Sequence, residues 1–147
     1  MRSLTLVAGV TLGVLIGIGG FTFVYARGSS YMTNDPAACA NCHVMREYYT
    51  AWQKSSHRSV AVCNDCHTPA GFAAKYATKA RNGFWHSYAF TTGGFPDYMQ
   101  ATSHNRTVAA ASCQKCHAAL TDALAGVAGE LPSCVRCHGA VGHPMRQ

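Results

Sequence analysis

The stretch Cys39-Ala40-Asn41-Cys42-His43 decides how this chain is read. The same pattern returns as Cys63-Asn64-Asp65-Cys66-His67, Cys113-Gln114-Lys115-Cys116-His117 and Cys134-Val135-Arg136-Cys137-His138. C-x-x-C-H is the attachment pattern of c-type haem. Two thiols add to the vinyl groups of the macrocycle, and the His that follows stands where it can reach the iron. The copies use all 8 cysteines, so no odd thiol is left over. C-x-x-C pairs also build zinc ribbons and thioredoxin-like redox sites, but neither needs His directly after the second Cys. Here His follows in every copy, which favours four covalently bound haem c groups over zinc or disulfide chemistry.

The 147 residues are one domain's worth of chain. Hydrophobic residues make up 48% and charged residues only 12%, against a usual quarter. Such a composition divides into a membrane segment and a cofactor-filled remainder. We read residues 1–26 as an N-terminal transmembrane anchor and 27–147 as a periplasmic tetrahaem domain. That leaves about 30 residues per haem, too few to build an ordinary core and also enclose the macrocycles. The expected fold class is therefore mainly α with extensive irregular structure, organised by the haems. The formal charge of +6 counts no haem propionates. Two on each of four haems bring the balance to roughly −2, so the basic pI is no argument for nucleic acid.

Residues 4–25 carry no charge and are long enough to cross a bilayer as a helix. Arg2 precedes them, which keeps the N-terminus cytoplasmic in a single pass through the cytoplasmic (inner) membrane, with the haem domain on the periplasmic side. Val24-Tyr25-Ala26 loosely resembles a cleavage site, but the apolar run exceeds the ~7–15 residues of a signal peptide. Gly9, Gly13 and Gly17 share one helix face, either for pairing with another helix or because Gly is common in such helices. Phe21, Phe23, Tyr25 and Tyr31 sit where an aromatic belt is expected. Gly28-Ser29-Ser30 is a short exit that holds the first haem close to the membrane.

Beyond it, residues 44–55 read as a helix with Met45, Tyr48, Tyr49 and Trp52 at three- and four-residue spacing. Residues 72–81 read as an amphipathic helix stopped by Asn82-Gly83. Phe84, Trp85, Tyr88, Phe90 and Phe95 then fall in a Gly-rich segment, suited equally to lipid headgroups and to haem faces. Residues 108–120 read as a helix carrying the third haem, and 121–132 as a small-residue linker. No stretch alternates as a strand would.

An electron-carrying haem takes two axial ligands, usually His or Met. Outside the motifs stand His57, His86, His104 and His143, enough for four bis-His haems. On the residues alone Met45 reads first as an ordinary core methionine near a haem, and only second as a ligand.

The run from Asp35-Pro36-Ala37-Ala38-Cys39 to Val44-Met45, then Trp52-Gln53-Lys54-Ser55-Ser56-His57 and 63–67, resembles the NapC/NirT family of membrane-anchored tetrahaem quinol dehydrogenases. Within it, the likeness is to the branch of small subunits that serve cytochrome c nitrite reductase. Lys79, Asn82-Gly83-Phe84, His86-Ser87 and Ala89-Phe90-Thr91 continue it over essentially the whole chain, and the short length favours this branch. The resemblance implies that Met45, not His43, binds the iron of haem 1. It implies His67, His117 and His138 as proximal ligands of haems 2, 3 and 4. It further implies His143 as distal ligand on haem 3 and His57 on haem 4. Haem 2 in the family takes its second ligand from a lysine of the partner. His104 departs from the pattern and is left as a surface residue, a propionate partner or a ligand of haem 2.

The same resemblance implies a substrate, menaquinol from the bilayer's quinone pool, and a partner, the catalytic subunit of cytochrome c nitrite reductase in a hetero-oligomer. The chain itself would not reduce nitrite. Quinol oxidation needs an apolar slot, an open haem 1 and groups that accept protons. Lys79 and His86 lie seven residues apart, two helical turns, and match family quinol-site positions; the family has an acidic group where His86 stands. His86 suits proton relay or, alternatively, ligation of haem 1. Asp97 is a weaker candidate. Service to another periplasmic reductase, small-molecule reduction at an open haem, and tethered electron carriage without quinol chemistry stay open as alternatives.

Overall fold

A computed structural model of the chain describes residues 2–96, 99–128 and 133–144, and every regular element in them is helical. α1 (Arg2–Tyr25) is a single 24-residue helix. It would run for about 36 Å, past the ~30 Å of a hydrocarbon core. All its residues are exposed within the chain, as expected of a helix whose solvent is lipid. Nothing lies within 4 Å of where side chains would begin at Gly9, Gly13 and Gly17, so that face is open.

The chain leaves α1 through Arg27 in a left-handed conformation (φ 50°) and enters a 3-10 turn, Gly28–Met32. The ring of Phe23 folds back over Gly28, where a Cβ would collide with it. α2 (Pro36–Cys39) delivers the first motif: Asp35 caps it by accepting from the Ala37 N–H at 2.9 Å, and Pro36 supplies the fixed φ of a first helical residue. After the 3-10 turn His43–Met45 comes α3 (Arg46–Gln53). Its Trp52 Nε1 donates to Ala61 O at 3.0 Å, tying it to the approach of the second motif. α4 (Cys63–His67) is that second motif. The Asp65 carboxylate accepts from the Val62 N–H at 2.9 Å while the Val62 carbonyl accepts from the Asp65 N–H at 2.9 Å, closing the first turn reciprocally.

α5 (Phe72–Thr92) runs straight through Asn82-Gly83, where the sequence reading placed a stop. One interior glycine costs a helix only about 1 kcal/mol, and the side chain of Tyr31 packs against Gly83. The true stop is ten residues on, at Gly93 (φ 70°), whose left-handed conformation closes the helix onto Ala89 O. α6 (Ser103–Cys116) is capped by Thr102, which accepts from the Asn105 N–H at 3.2 Å, and ends in the third motif. α7 (Ala118–Ala128) occupies most of the stretch expected as linker. Leu120, Leu124 and Val127 hold helical spacing there, and alanine-rich sequence needs little else. The fourth motif follows in the 3-10 turn Cys134–Arg136.

What these helices do not make is an interior. Among the described residues Val108 is the one buried apolar side chain, with Thr68, Thr78 and Lys79 the buried polar ones, and no large side chain is fully buried. The chain exposes 11078 Å², whereas a compact 15.7 kDa protein exposes about 7,300 Å². The free-standing anchor accounts for part of the excess. The rest is space between short helices that polypeptide does not fill. Chain produced without haem attachment should therefore lack a protected domain: limited proteolysis in detergent should trim it to the anchor, while the haem-loaded chain survives beyond Cys137. Equal resistance of the two forms would contradict this.

Candidate functional site

The four motifs form a row. The side chains of Cys39 and Cys63 come within hydrogen-bonding reach of each other, and Cys113 reaches Cys134 in the same way. Between these pairs α4 packs on α6, which sets Cys66 beside Cys116 and Cys113. Motifs adjacent in sequence are thus adjacent in space, and a group attached at each would neighbour the next.

Two imidazole pairs face each other across the spaces left between helices. The ring centroids of His67 and His143 are 5.9 Å apart with planes 5° from parallel. Those of His57 and His117 are 6.2 Å apart at 65°. With metal–imidazole bonds of about 2 Å, two rings on opposite faces of one iron have centroids about 6 Å apart. The residues therefore fit a haem iron between each pair. His67 adds a second indication. Enough protein surrounds it that burial, then the nearness of His143, pushes its pKa below the ordinary value, yet its ring is exposed. A side chain both deep and exposed lines a void within the fold, and its neutral form is the one that ligates metal. No three His, Cys, Asp or Glu among the described residues converge as a closed zinc site requires.

The family resemblance implies the other pairing, His143 with His117 and His57 with His138, which these ring distances leave untested. His143 stands opposite His67 of the second motif rather than His117 of the third. His57 stands opposite His117 rather than His138. Linear spacing does not say which returning segment meets which motif; here Tyr48 of α3 packs edge-on against His143 at 5.1 Å and turns it toward α4. Among the described residues no imidazole stands at such a distance from His138. His104, half-buried in the first turn of α6, makes no ring contact among the described residues.

At the first motif, Met45 is half-buried and His43 exposed. Both belong to one 3-10 turn, in which residues two apart project about 120° from each other. The Met45 N–H donates to Cys42 O at 2.8 Å, which fixes that turn against the motif.

Beside this motif, at the foot of the anchor, α5 meets the Gly28–Met32 turn. The Tyr31 hydroxyl is hydrogen-bonded to His86 Nδ1 at 3.0 Å, and its ring lies against Gly83. Burial, with Cys42 and Cys39 nearby, pushes the Tyr31 phenol up to about 12, so it stays protonated. Burial lowers the pKa of His86, although part of its ring remains open to solvent. Lys79, two turns earlier, is 6% exposed. Its Nζ donates to Thr33 O at 2.6 Å and Asn34 Oδ1 at 3.4 Å, and lies 5.4 Å from the Tyr76 ring centroid. Asn64 Nδ2 of α4 donates to the same two oxygens, each at 3.1 Å, so one short loop gathers motif 2 and α5. An ammonium has three N–H donors; two are spoken for, which leaves one. Desolvation and then Lys75 lower the Lys79 pKa. Lys79 and His86 share a helix face, as their spacing suggested, about 10 Å apart along the axis. Sequence reasoning assigned Tyr31 to the aromatic belt and missed its role here; its position a few residues beyond the anchor was the available signal. Asp97 lies outside the described residues.

A family model described as the NapC/NirT cytochrome c family, N-terminal region, matches residues 1–147. The chain is 38% identical over 116 residues to the cytochrome c-type protein NrfH of Wolinella succinogenes, an alignment covering 78% of this chain. It spans 66% of that relative, just under two thirds of its length. The fold is similar to a chain in the crystal structure of the cytochrome c nitrite reductase NrfHA complex bound to the HQNO inhibitor. There the TM-score is 0.69 at 28% identity, covering 97% of this chain and 92% of that one.

If facing rings share an iron, their losses do not add. By electron paramagnetic resonance, His67→Met and His143→Met should each remove one bis-His signal, and the double variant the same one. His117→Met with His143→Met should remove two. The reverse pattern would restore the pairing implied by the resemblance.

Proposed function

The chain belongs to the NapC/NirT cytochrome c family, binds haem c and carries one membrane anchor, and from that premise we propose that it oxidises quinol and feeds the electrons to a periplasmic nitrite reductase subunit. The observation that carries this reading is the meeting of Tyr31, His86 and Lys79 beside the first haem motif, a few residues from the end of the anchor. This is where the first haem motif stands nearest the end of the anchor, and so nearest a lipid-soluble reductant. The similar proteins support it: the relative is an NrfH, and the solved neighbour is a nitrite reductase complex holding the HQNO inhibitor.

The proposal includes four haem c groups, one on each motif, with residues 1–26 as the anchor and 27–147 as a periplasmic domain. The N-terminus is then cytoplasmic. Met45 ligates haem 1; His67 with His143 serves haem 2, and His117 with His57 serves haem 3. His138 is the proximal ligand of haem 4, for which the described residues place no second imidazole. The substrate is menaquinol, the partner the catalytic subunit of cytochrome c nitrite reductase.

Bound haem accepts electrons singly from a donor that loses two electrons and two protons. The chain's own residues set the position and handle the protons, which His86, open to solvent, takes one at a time, one with each electron, releasing each to water. The remaining Lys79 N–H donates to one substrate oxygen. His86, neutral at pH 7 because burial lowers its pKa, accepts a proton on the Nε2 lone pair in the tautomer whose Nδ1–H donates to the Tyr31 hydroxyl oxygen. Tyr31 fixes the orientation of the imidazole and stays protonated itself. Lys79 and His86 flank a ring rather than share one oxygen.

In vesicles, His86→Ala should slow quinol-driven haem reduction by about 100-fold. Lys79→Gln should raise the KM for quinol. The wild-type rate should fall as pH drops through the lowered pKa of His86, because protonation removes the acceptor, and His86→Ala should flatten that limb. Rates unchanged in both variants, with an unaltered pH profile, would remove the site.

A further inference from the structure

α5 has two faces. At about 100° per residue, Tyr76, Lys79, Gly83 and His86 fall within an arc of about 80°, the one turned to the Gly28–Met32 segment and the first motif. Arg81, Phe84, Trp85 and Tyr88 fall within an arc of about 100° centred nearly opposite. Phe84, Trp85 and Tyr88 form a contiguous aromatic cluster. Centroids lie 5.2 Å (Phe84–Trp85), 5.8 Å (Trp85–Tyr88) and 6.4 Å (Phe84–Tyr88) apart. Yet Phe84 is 62% exposed and Trp85 and Tyr88 are each 54% exposed. A macrocycle attached at Cys39 and Cys42 lies on the other side, near Tyr31 and Lys79. The sequence left headgroups and haem faces as equal partners for these aromatics; helix geometry removes the first haem.

Three further observations say what covers the cluster. The first is height. Tyr31 packs on Gly83, and only six residues separate Tyr31 from Tyr25 at the end of α1. Fully extended they span about 20 Å, and in the 3-10 turn they take roughly 12 Å. Tyr31 therefore lies within that distance of the end of α1, and residues 84–88, across the helix from it, within about a further 10 Å. The second is charge: Arg81 is the charged residue within the arc that holds the cluster, α5 carries no acidic residue, and Arg27 follows the end of the anchor. The third is residue type. Trp and Tyr, apolar with one polar edge, are the side chains that concentrate at headgroup level.

We propose that the Phe84–Trp85–Tyr88 face of α5, with Arg81, lies in the lipid headgroup region as a second membrane contact beside the anchor. It lays α5 along the surface, with its opposite face toward the first motif. The anchor then sets the domain's height and α5 its tilt. The inference rests on the anchor and on α5, and holds whether or not the chain oxidises quinol.

The test uses the full haem-loaded chain in vesicles of zwitterionic and anionic phospholipid carrying a photoreactive diazirine at the glycerol end of one acyl chain. Peptide mass spectrometry after illumination should place lipid adducts on residues 84–88 as well as on residues 21–25. In Trp85→Glu the adducts on 84–88 should fall severalfold while those on the anchor persist. Adducts confined to the anchor would overturn the proposal. So would their loss from 84–88 on adding a nitrite reductase catalytic subunit, which would give this face to protein.

Discussion

Thioether bonds from the motif cysteines to haem are the interaction on which the rest of the fold depends. A chain of this size normally gathers its apolar side chains into one interior. Among the described residues this one buries Val108 and leaves the other large hydrophobics at least partly open. Its helices are mostly short, and α2 and α4 are hardly more than one turn each. Such helices are marginal alone, because nucleation costs more than a few hydrogen bonds return. What holds them in place must fill the space between them, and the two imidazole pairs stand at a spacing that suits it. The attachment motifs are thus the fold's structural ties as well as its redox centres.

A second constraint acts at the membrane. The segment between α1 and the first motif is too short to let the domain wander, and it is pinned by side chains rather than by apolar packing. Tyr31 reaches His86, Tyr76 reaches Met32 O at 3.3 Å, and Lys79 closes on Thr33 and Asn34. Burying a lysine is costly unless its donors are satisfied. Here a carbonyl and a side-chain amide satisfy two of them, and the residue staples α5 to the loop that precedes motif 1. The same polar group that stabilises the junction stands where a substrate hydroxyl would need a partner. Structure and chemistry share residues at this point because the chain has so few to spare.

How much of this was legible in the sequence follows from the kind of information each feature needs. The motifs and the anchor are local patterns, read directly from Cys39–His43 and its repeats and from an uncharged run of helix length. The helical class followed from the absence of alternation. Asn82-Gly83 misled because a turn signal is only a local preference, and the packing of Tyr31 on Gly83 is a contact across 52 positions of chain. The 121–132 stretch misled because small residues suggested a linker, although its leucines kept helical spacing. The partners of His57 and His143 were beyond reach: eight histidines allow many pairings, and only the fold chooses among them. Tyr31 was noticed for its aromaticity, whereas its hydroxyl is what matters.

The central claim is that covalently attached macrocycles are the interior of a chain held to a bilayer by its own N-terminus. Intact mass spectrometry of the protein extracted from membranes tests it most directly. The account predicts one species, the polypeptide with residues 1–26 retained plus four haems. A mature chain with fewer haems, with zinc in their place, or trimmed near Ala26 and free of the membrane would contradict it.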